Sequence, residues 1–182
     1  MTRLVHAIVT GLIGAALLHI IIVLALPRFS ESDAYSRILA AGPAGAFHAL
    51  GDAQRAGPLL QPNPFVSAAV CAFDLSQAPV AVAASGDPAL WSFAVFDRAS
   101  NEVFSISDRS VEPGRLDAVL ATPSQAMRLR KADPDLTERS ILIEMTGNTG
   151  YLVLRTVSPH ASMEAEARRF LESARCEALR PG

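Results

Sequence analysis

Hydrophobic and polar positions divide the chain into two unlike parts. Residues 4–26 form a 23-residue run without a single Asp, Glu, Lys or Arg. As a helix, a run of that length crosses a hydrocarbon core of about 30 Å with some tilt. Pro27 is expected to stop it. Residues 30–41 then read as a short helix, with Ser30 or Ser32 as cap, Glu31 and Asp33 at the positive end of its dipole, and Tyr35, Ile38 and Leu39 on its apolar side. Gly42, Pro43, Gly45, Gly51, Gly57, Pro58, Pro62 and Pro64 follow. That density of breakers predicts a linker or an irregular covering loop, with at most one helical turn around Phe47, His48 and Leu50.

From Phe65 the pattern changes to short stretches bounded by Pro, Gly, Asp, Asn or Ser. Val66–Asp74, 80–84, Leu90–Asp97, Glu102–Ser107 and 116–121 read as strands. In the third, Trp91, Phe93 and Val95 share one face while Ser92, Ala94 and Phe96 share the other. Both faces are largely apolar, which predicts a strand covered on two sides. Residues 97–101 read as a hairpin loop. Thr122-Pro123-Ser124-Gln125 predicts a helix start, with Thr122 at the cap, Pro123 first in the helix and Gln125 closing a capping box. The helix over 123–131 stops before Asp133-Pro134. Residues 141–145 and 151–157 read as two strands joined in a hairpin through residues 146–150. A last helix is expected from about Ser158 or Ser162 to Ala178, burying Met163, Ala167, Phe170 and Ala174.

Strands about ten residues apart with tight turns indicate an antiparallel sandwich or barrel. The expected architecture is mainly β with peripheral helices (α+β), ending in a C-terminal helix and preceded by one transmembrane helix. Its parts are an anchor over 1–28, a short helix and linker over 29–64, and a β-rich domain over 65–182. No period of 20–50 residues recurs, so a solenoid or propeller is excluded.

Composition narrows the class. A net charge of −2 excludes a strongly basic nucleic-acid binder, and only 19% of residues are charged, too few for a disordered chain. Without residues 1–28 the remainder holds 14 basic and 18 acidic side chains, a mildly acidic domain of ordinary polarity.

A cleaved signal peptide competes with the anchor. Its apolar core would be about 7–15 residues and end in a small-x-small site. The present run is longer, and Val23-Leu24-Ala25 is followed closely by Pro27, which favours an uncleaved anchor. Arg3 on one side and Arg28 and Arg37 on the other give almost no vote on orientation. A very short tail before an apolar run is typical of a signal-anchor, and two cysteines suit an oxidising space. The expected placement is the bacterial inner membrane, N-terminus cytoplasmic, domain periplasmic. Ala7, Gly11 and Ala15 recur every four residues and make a stripe along which another helix can approach closely. His19 continues it. An imidazole there would suit a haem or chlorin, but with no second ligand in view a hydrogen bond to a partner helix or a carbonyl is the favoured reading.

Several stretches resemble one bacterial family: Asn63-Pro64-Phe65, Cys71-Ala72-Phe73-Asp74-Leu75-Ser76, Pro79-Val80, Trp91-Ser92-Phe93-Ala94-Val95-Phe96-Asp97, residues 101–109, and Leu120-Ala121-Thr122-Pro123. The family is known as domain of unknown function 1254, and the likeness spans roughly residues 28–176 in the short, membrane-anchored, alphaproteobacterial form. It implies a β-rich fold and supplies no catalytic residues. Longer relatives carry a second, family 1214 domain that does not follow here, so a membrane-protein partner carrying that domain is expected.

Chemistry is sparse. His48 and His160 lie far apart without ligand spacing, Cys71 and Cys176 form no C-x-x-C pair, and no nucleophile elbow, P-loop or dinucleotide fingerprint occurs. Neither a metal site nor a cofactor is expected. Cys71 and Cys176 have one possible intramolecular pairing, and a disulfide between them would tie the first core strand to the C-terminal segment. Cys176 falls opposite the Phe170/Ala174 stripe, so the helix must end near Arg175 or the sheet edge must wrap around it. The alternative is a buried Cys71 thiol and an exposed Cys176. Asp74, Asp97 and Asp108 fall at strand ends, with Arg98 and Arg109 after two of them. As a functional site, Asp97, Arg98, Asp108 and Arg109 would give a carboxylate pair with anion-binding arginines. As structure, they are turn aspartates paired with nearby arginines, which is the favoured reading. Two function classes follow: a non-enzymatic envelope module that binds a partner or ligand, which is favoured, and a periplasmic enzyme acting on saccharide or envelope material through an aspartate pair.

Overall fold

The computed structural model describes residues 2–50, 63, 65–111 and 114–179, with the side chains of residues 27–33 outside the description. Its first element is one helix, α1, running without interruption over Thr2–Ala41. Pro27 therefore does not end the apolar helix, and no separate helix begins at residue 30. Proline removes one backbone donor, at about 3 kcal/mol in a helix interior. What carries the helix past it is packing at the far end. Ala34 and Ile38, one turn apart, are buried against the domain, and such tertiary contact supplies most helical stability in proteins. The expected caps Ser30 and Ser32 and the acids Glu31 and Asp33 belong to the segment whose side chains are not described.

The strands are β1 (His48–Ala49), β2 (Val66–Asp74), β3 (Val80–Ser85), β4 (Leu90–Asp97), β5 (Glu102–Ser107), β6 (Arg115–Ala121), β7 (Ile141–Glu144), β8 (Thr149–Val157) and β9 (Arg175–Ala178). The helices are α2 (Pro123–Ala132), α3 (Pro134–Arg139) and α4 (Ala161–Ser173). They build two sheets, one ordered β1-β2-β8-β4-β5 and the other β7-β6-β3-β9. Among the described pairings all are antiparallel except β6 with β7. The fold is the expected α+β arrangement of two mostly antiparallel sheets, an N-terminal apolar helix and a helix near the C-terminus.

Strand alternation fills the space between the sheets. Cys71 and Phe73 of β2, Trp91, Phe93 and Val95 of β4, and Leu152 and Leu154 of β8 point inward from the first sheet, against Val80, Val82, Leu116, Ala118 and Leu120 of the second. Each large side chain so enclosed contributes about 1.5–3 kcal/mol. The first sheet is also covered outside. Ala68, Val70, Ala72, Tyr151 and Val153 pack beneath Ala34, Ile38 and Leu50, joined by Tyr35 and Phe96. The two apolar faces of β4 thus have two covers, as its pattern implied.

Further sequence expectations are corrected. Residues 47–50 are not a helical turn: His48 pairs with Val70 and Ala49 with Ala69 as a short edge strand, because the Leu50 N–H donates to the Ala68 carbonyl and Phe47 and Leu50 bury on opposite sides of the sheet. The breakers at 51–62 and Pro64 lie outside the described residues. Residues 141–145 and 151–157 are not a hairpin, since β7 and β8 belong to different sheets. The α2–α3 crossover returns the chain parallel to β6, which a hairpin could not do, and Ile143 and Met145 then enter the core. The last helix stops at Ser173, not Ala178. The Ser173 hydroxyl donates to the Ser85 carbonyl and accepts from its N–H, so the chain turns there into β9. Ala167, Phe170 and Ala174 bury as expected, but Met163, in the first turn, is exposed.

Candidate functional site

The polar residues singled out at strand ends occupy three separate places. At the β4–β5 turn, the Asp97 carboxylate accepts from the Asn101 backbone N–H at 2.8 Å and from the Asn101 side-chain amide at 2.9 Å. Backbone bonds Asp97 N–H to Asn101 C=O and Ser100 N–H to Asp97 C=O close the loop. Ser100 takes a left-handed conformation there (φ 62°). Arg98 reaches across to α1, its guanidinium carbon 5.6 Å from the centre of the Tyr35 ring, a cation–π distance. Beneath the turn, Phe96 stacks on Tyr151 with ring centres 5.0 Å apart. Burial pushes the Tyr151 phenol above its ordinary value, and the Asp97 charge adds to the rise.

Asp74 ends β2 on the same side of the molecule, but register sets it apart. Asp74 pairs with Thr149 and Asp97 with Gly150, so their side chains belong to opposite faces of the sheet. Asp74 caps its own turn, accepting from the Ser76 hydroxyl and from the Ser76 N–H at 2.8 Å. The hydroxyl and then the N–H hold its carboxyl below the usual range, with slight desolvation opposing. Asp108 and Arg109 lie in a single helical turn after β5. They are at the far end of a six-residue strand from Asp97, about 20 Å away by strand geometry. The structure therefore brings Arg98 and Tyr35 together and does not bring Asp97 and Asp108 together. Tyr35 was legible only as an apolar helix position, and nothing in the sequence paired it with Arg98.

Other candidates resolve individually. Cys71 and Cys176 are joined, with Cα atoms 6.6 Å apart and 105 residues between them. His48 lies 2.8 Å from the Pro43 carbonyl through Nε2. Among the described residues no group of three His, Cys, Asp or Glu side chains could hold a metal ion. Between α2, α3 and the second sheet, Val119, Leu129, Leu136, Thr137, Ser140 and Leu142 line a crevice too tight to enclose a water-sized molecule. On α1, Ala7, Gly11, Ala15 and His19 are all exposed, and Thr2–Leu26 is long and apolar enough to cross a membrane.

No family model and no curated protein matches the chain. Solved structures do. The VPA0106 protein from Vibrio parahaemolyticus superposes with a TM-score of 0.59 at 14% identity, over 83% of this chain and 35% of that one. An uncharacterised protein from Burkholderia cenocepacia superposes with a TM-score of 0.52 at 16% identity, over 81% of this chain and 42% of that one. The chain spans less than half the length of either. At such identity the likeness is one of fold alone.

Proposed function

We propose that the chain is a single-pass inner-membrane protein of the bacterial envelope, with its N-terminus in the cytoplasm and its sandwich in the periplasm, acting by binding or assembly. The observation that carries this reading is the continuity of α1. Its apolar first part has no cover from the domain, while its last turns are part of the domain's packing. The candidate cleavage sequence Val23-Leu24-Ala25 lies inside that helix, which favours an anchor over a signal peptide. The Cys71–Cys176 bridge supports an oxidising compartment. The separation of Asp97 from Asp108 along β5 supports binding over catalysis by that aspartate pair.

We also keep membership of the domain of unknown function 1254 family as part of the proposal, on the motifs given above. A partner membrane protein, bearing a family 1214 domain by that resemblance, would meet α1 along Ala7, Gly11 and Ala15. Alkaline phosphatase fused to the C-terminus should be active, and the mature protein should retain Met1 or Thr2. An inactive fusion, or a mature N-terminus near Leu26, overturns the topology. Crosslinking in native membranes, followed by identification of the bound protein, tests the assembly role.

A further inference from the structure

We infer that α1 pairs in the membrane, in parallel, with α1 of a second copy of this chain, and that His19 is hydrogen-bonded there to the same residue of the copy. The inference rests on the reading of α1 as a membrane anchor. It goes beyond that reading by naming the helix that α1 meets and the polar contact that selects it.

His19 carries the inference. Residues 4–26 hold three side chains able to hydrogen-bond, His6, Thr10 and His19. His6 lies close to Arg3, at the end of the span. The Thr10 hydroxyl donates to the His6 carbonyl at 2.9 Å, so it is satisfied within its own helix. His19 is exposed and has no partner among the described residues. Ala34, which is buried against the domain, is about 22 Å further along the helix. The apolar stretch Thr2–Leu26 is about 37 Å long, so centring it on a hydrocarbon core of about 30 Å puts His19 about 7 Å below the nearer boundary. Helical side chains lean toward the N-terminus, which turns this ring toward the bilayer centre and away from the nearer headgroups. Hydrocarbon offers neither donor nor acceptor, so a polar side chain at that depth takes its partner from another helix.

Chemistry and chain direction choose the helix. A neutral imidazole has one donor and one acceptor nitrogen, so it can pair with its own copy. Copies inserted with one topology lie parallel, and a parallel two-fold pair sets each residue beside itself at equal depth. His19 then meets the hydrogen-bonding side chain this span provides at its own depth, which is another His19. The helix face permits the approach. Ala7, Gly11 and Ala15 precede His19 at four-residue steps, and small residues so spaced let helix backbones close up. At 100° per residue this face lies about 140° around α1 from Ala34 and Ile38, which pack on the sandwich. The two sandwiches therefore sit outside the helix pair and leave the contact clear. On this face a second copy competes with the partner protein considered above, and the self-complementary imidazole favours the copy.

The test uses the purified full chain in phosphatidylcholine vesicles, with Ala15→Cys as reporter. Ala7→Cys is the second reporter should the first fail to insert, and Ile13→Cys and Leu17→Cys, on the other side of α1, are the controls. The native cysteines are bridged and buried, so they do not react. Oxidation with copper–phenanthroline, read on non-reducing gels, should join the Ala15→Cys chains in pairs and leave the controls single. Adding His19→Phe, which keeps a ring but can neither donate nor accept at nitrogen, should lower the association constant about 3- to 30-fold in a lipid-dilution series, the range of one interhelical hydrogen bond. His19→Asn, which restores a donor and an acceptor, should retain pairing. Chains that resist alkaline extraction but crosslink no more at residues 7 and 15 than at 13 and 17 overturn the inference and leave the anchor standing. Crosslinking in native membranes to a different protein alone does the same, and returns the face to the partner considered above. Pairing unchanged by His19→Phe, or lost in His19→Asn, overturns the role of His19. Chains removed by alkaline extraction overturn the anchor, and the inference with it.

Discussion

The Cys71 and Cys176 sulfurs join β2 of the five-stranded sheet to β9 of the four-stranded sheet, across the interior of the sandwich. β9 has only four residues and pairs with β3 alone, Cys176 opposite Val82. The bridge closes a loop of 105 residues. Chain entropy for such a loop is worth roughly 4–5 kcal/mol, and natural bridges commonly realise 2–5. Replacing both cysteines by alanine should lower stability by about 2–4 kcal/mol in urea unfolding. Amides of Arg175–Ala178 should also exchange faster than those of β8. Unchanged unfolding, or two alkylatable thiols in unreduced protein, refutes the role given to the bridge.

Much of this was readable along the chain because the relevant signals are local. β2, β4 and β5 have the expected bounds, since apolar alternation and flanking turn residues act within a few positions. The Thr122–Gln125 capping box forms as expected. What failed depends on partners distant in sequence. Nothing near Pro27 reveals that Ala34 and Ile38 will bury on β8 and β2 and draw the helix onward. Residues 175–178 have helical spacing, yet β3 offers an open edge and Ser173 turns the chain toward it. Residues 146–150 carry hairpin chemistry, but the Asn148 carbonyl accepts from the Leu75 N–H, and the segment passes between sheets. The Arg98–Tyr35 contact, 63 positions apart in the chain, had no local signature at all.

Gly11 offers a test that separates the membrane part from the domain. A Cβ placed there meets nothing within 4 Å, so Gly11→Ile should leave the thermal unfolding of the sandwich unchanged. Helix–helix association in membranes should weaken, because close backbone approach is lost. A paired measurement of melting and of crosslinking yield in membranes checks both halves. Unchanged crosslinking removes the stripe from consideration as a contact face.

Two perturbed groups outside the membrane, Asp74 and Tyr151, predict opposite ends of the pH profile. Asp74 is held below its unfolded value by Ser76. Its contribution is present above the ordinary carboxylate range and is lost as pH falls through the folded value. Ser76→Ala should therefore flatten the acid limb of the stability curve. Tyr151 is raised by burial from an ordinary 10.0. Below that value its contribution is complete; as pH rises past it toward the folded value, the unfolded chain releases the proton first and stability falls. Phenolate absorbance of Tyr151→Phe against the parent should show one late-titrating tyrosine missing.

Thr156 is fully buried, and its hydroxyl has no hydrogen-bond partner. It sits on β8 opposite Trp91 and Ser67, in a strand position that favours β-branched residues. Thr156→Val keeps the shape and removes an unsatisfied polar group, whose burial costs about 1–3 kcal/mol. The variant should melt at the same temperature or higher. A marked loss would mean that the hydroxyl has a partner in solution, such as an ordered water.

Gln125 carries the most specific prediction, because both ends of its amide are engaged at a buried site. Its Oε1 accepts from the Thr122 N–H at 2.9 Å, and its Nε2 donates to the Leu75 carbonyl at 2.7 Å. The side chain thereby fixes the start of α2 to the end of β2, at 6% exposure. Gln125→Ala leaves a buried donor and a buried acceptor without partners, for a loss of about 2–4 kcal/mol. Gln125→Glu keeps the acceptor for Thr122 but turns a carboxylate toward the Leu75 carbonyl, where a donor is required. Burial and that carbonyl both disfavour the charged form, so the introduced carboxyl should titrate above its ordinary range. A folded pKa raised above the unfolded value contributes most below the unfolded pKa, and that contribution is lost as pH rises through the folded one. Gln125→Glu should accordingly lie closest to the parent in acid, where the protonated carboxyl can donate to Leu75, and fall furthest behind at neutral pH. Urea midpoints measured for both proteins from acid to neutral pH give the comparison. A deficit that is constant across that range, or one that grows toward acid, rules out the Leu75 hydrogen bond as the reason this position needs an amide.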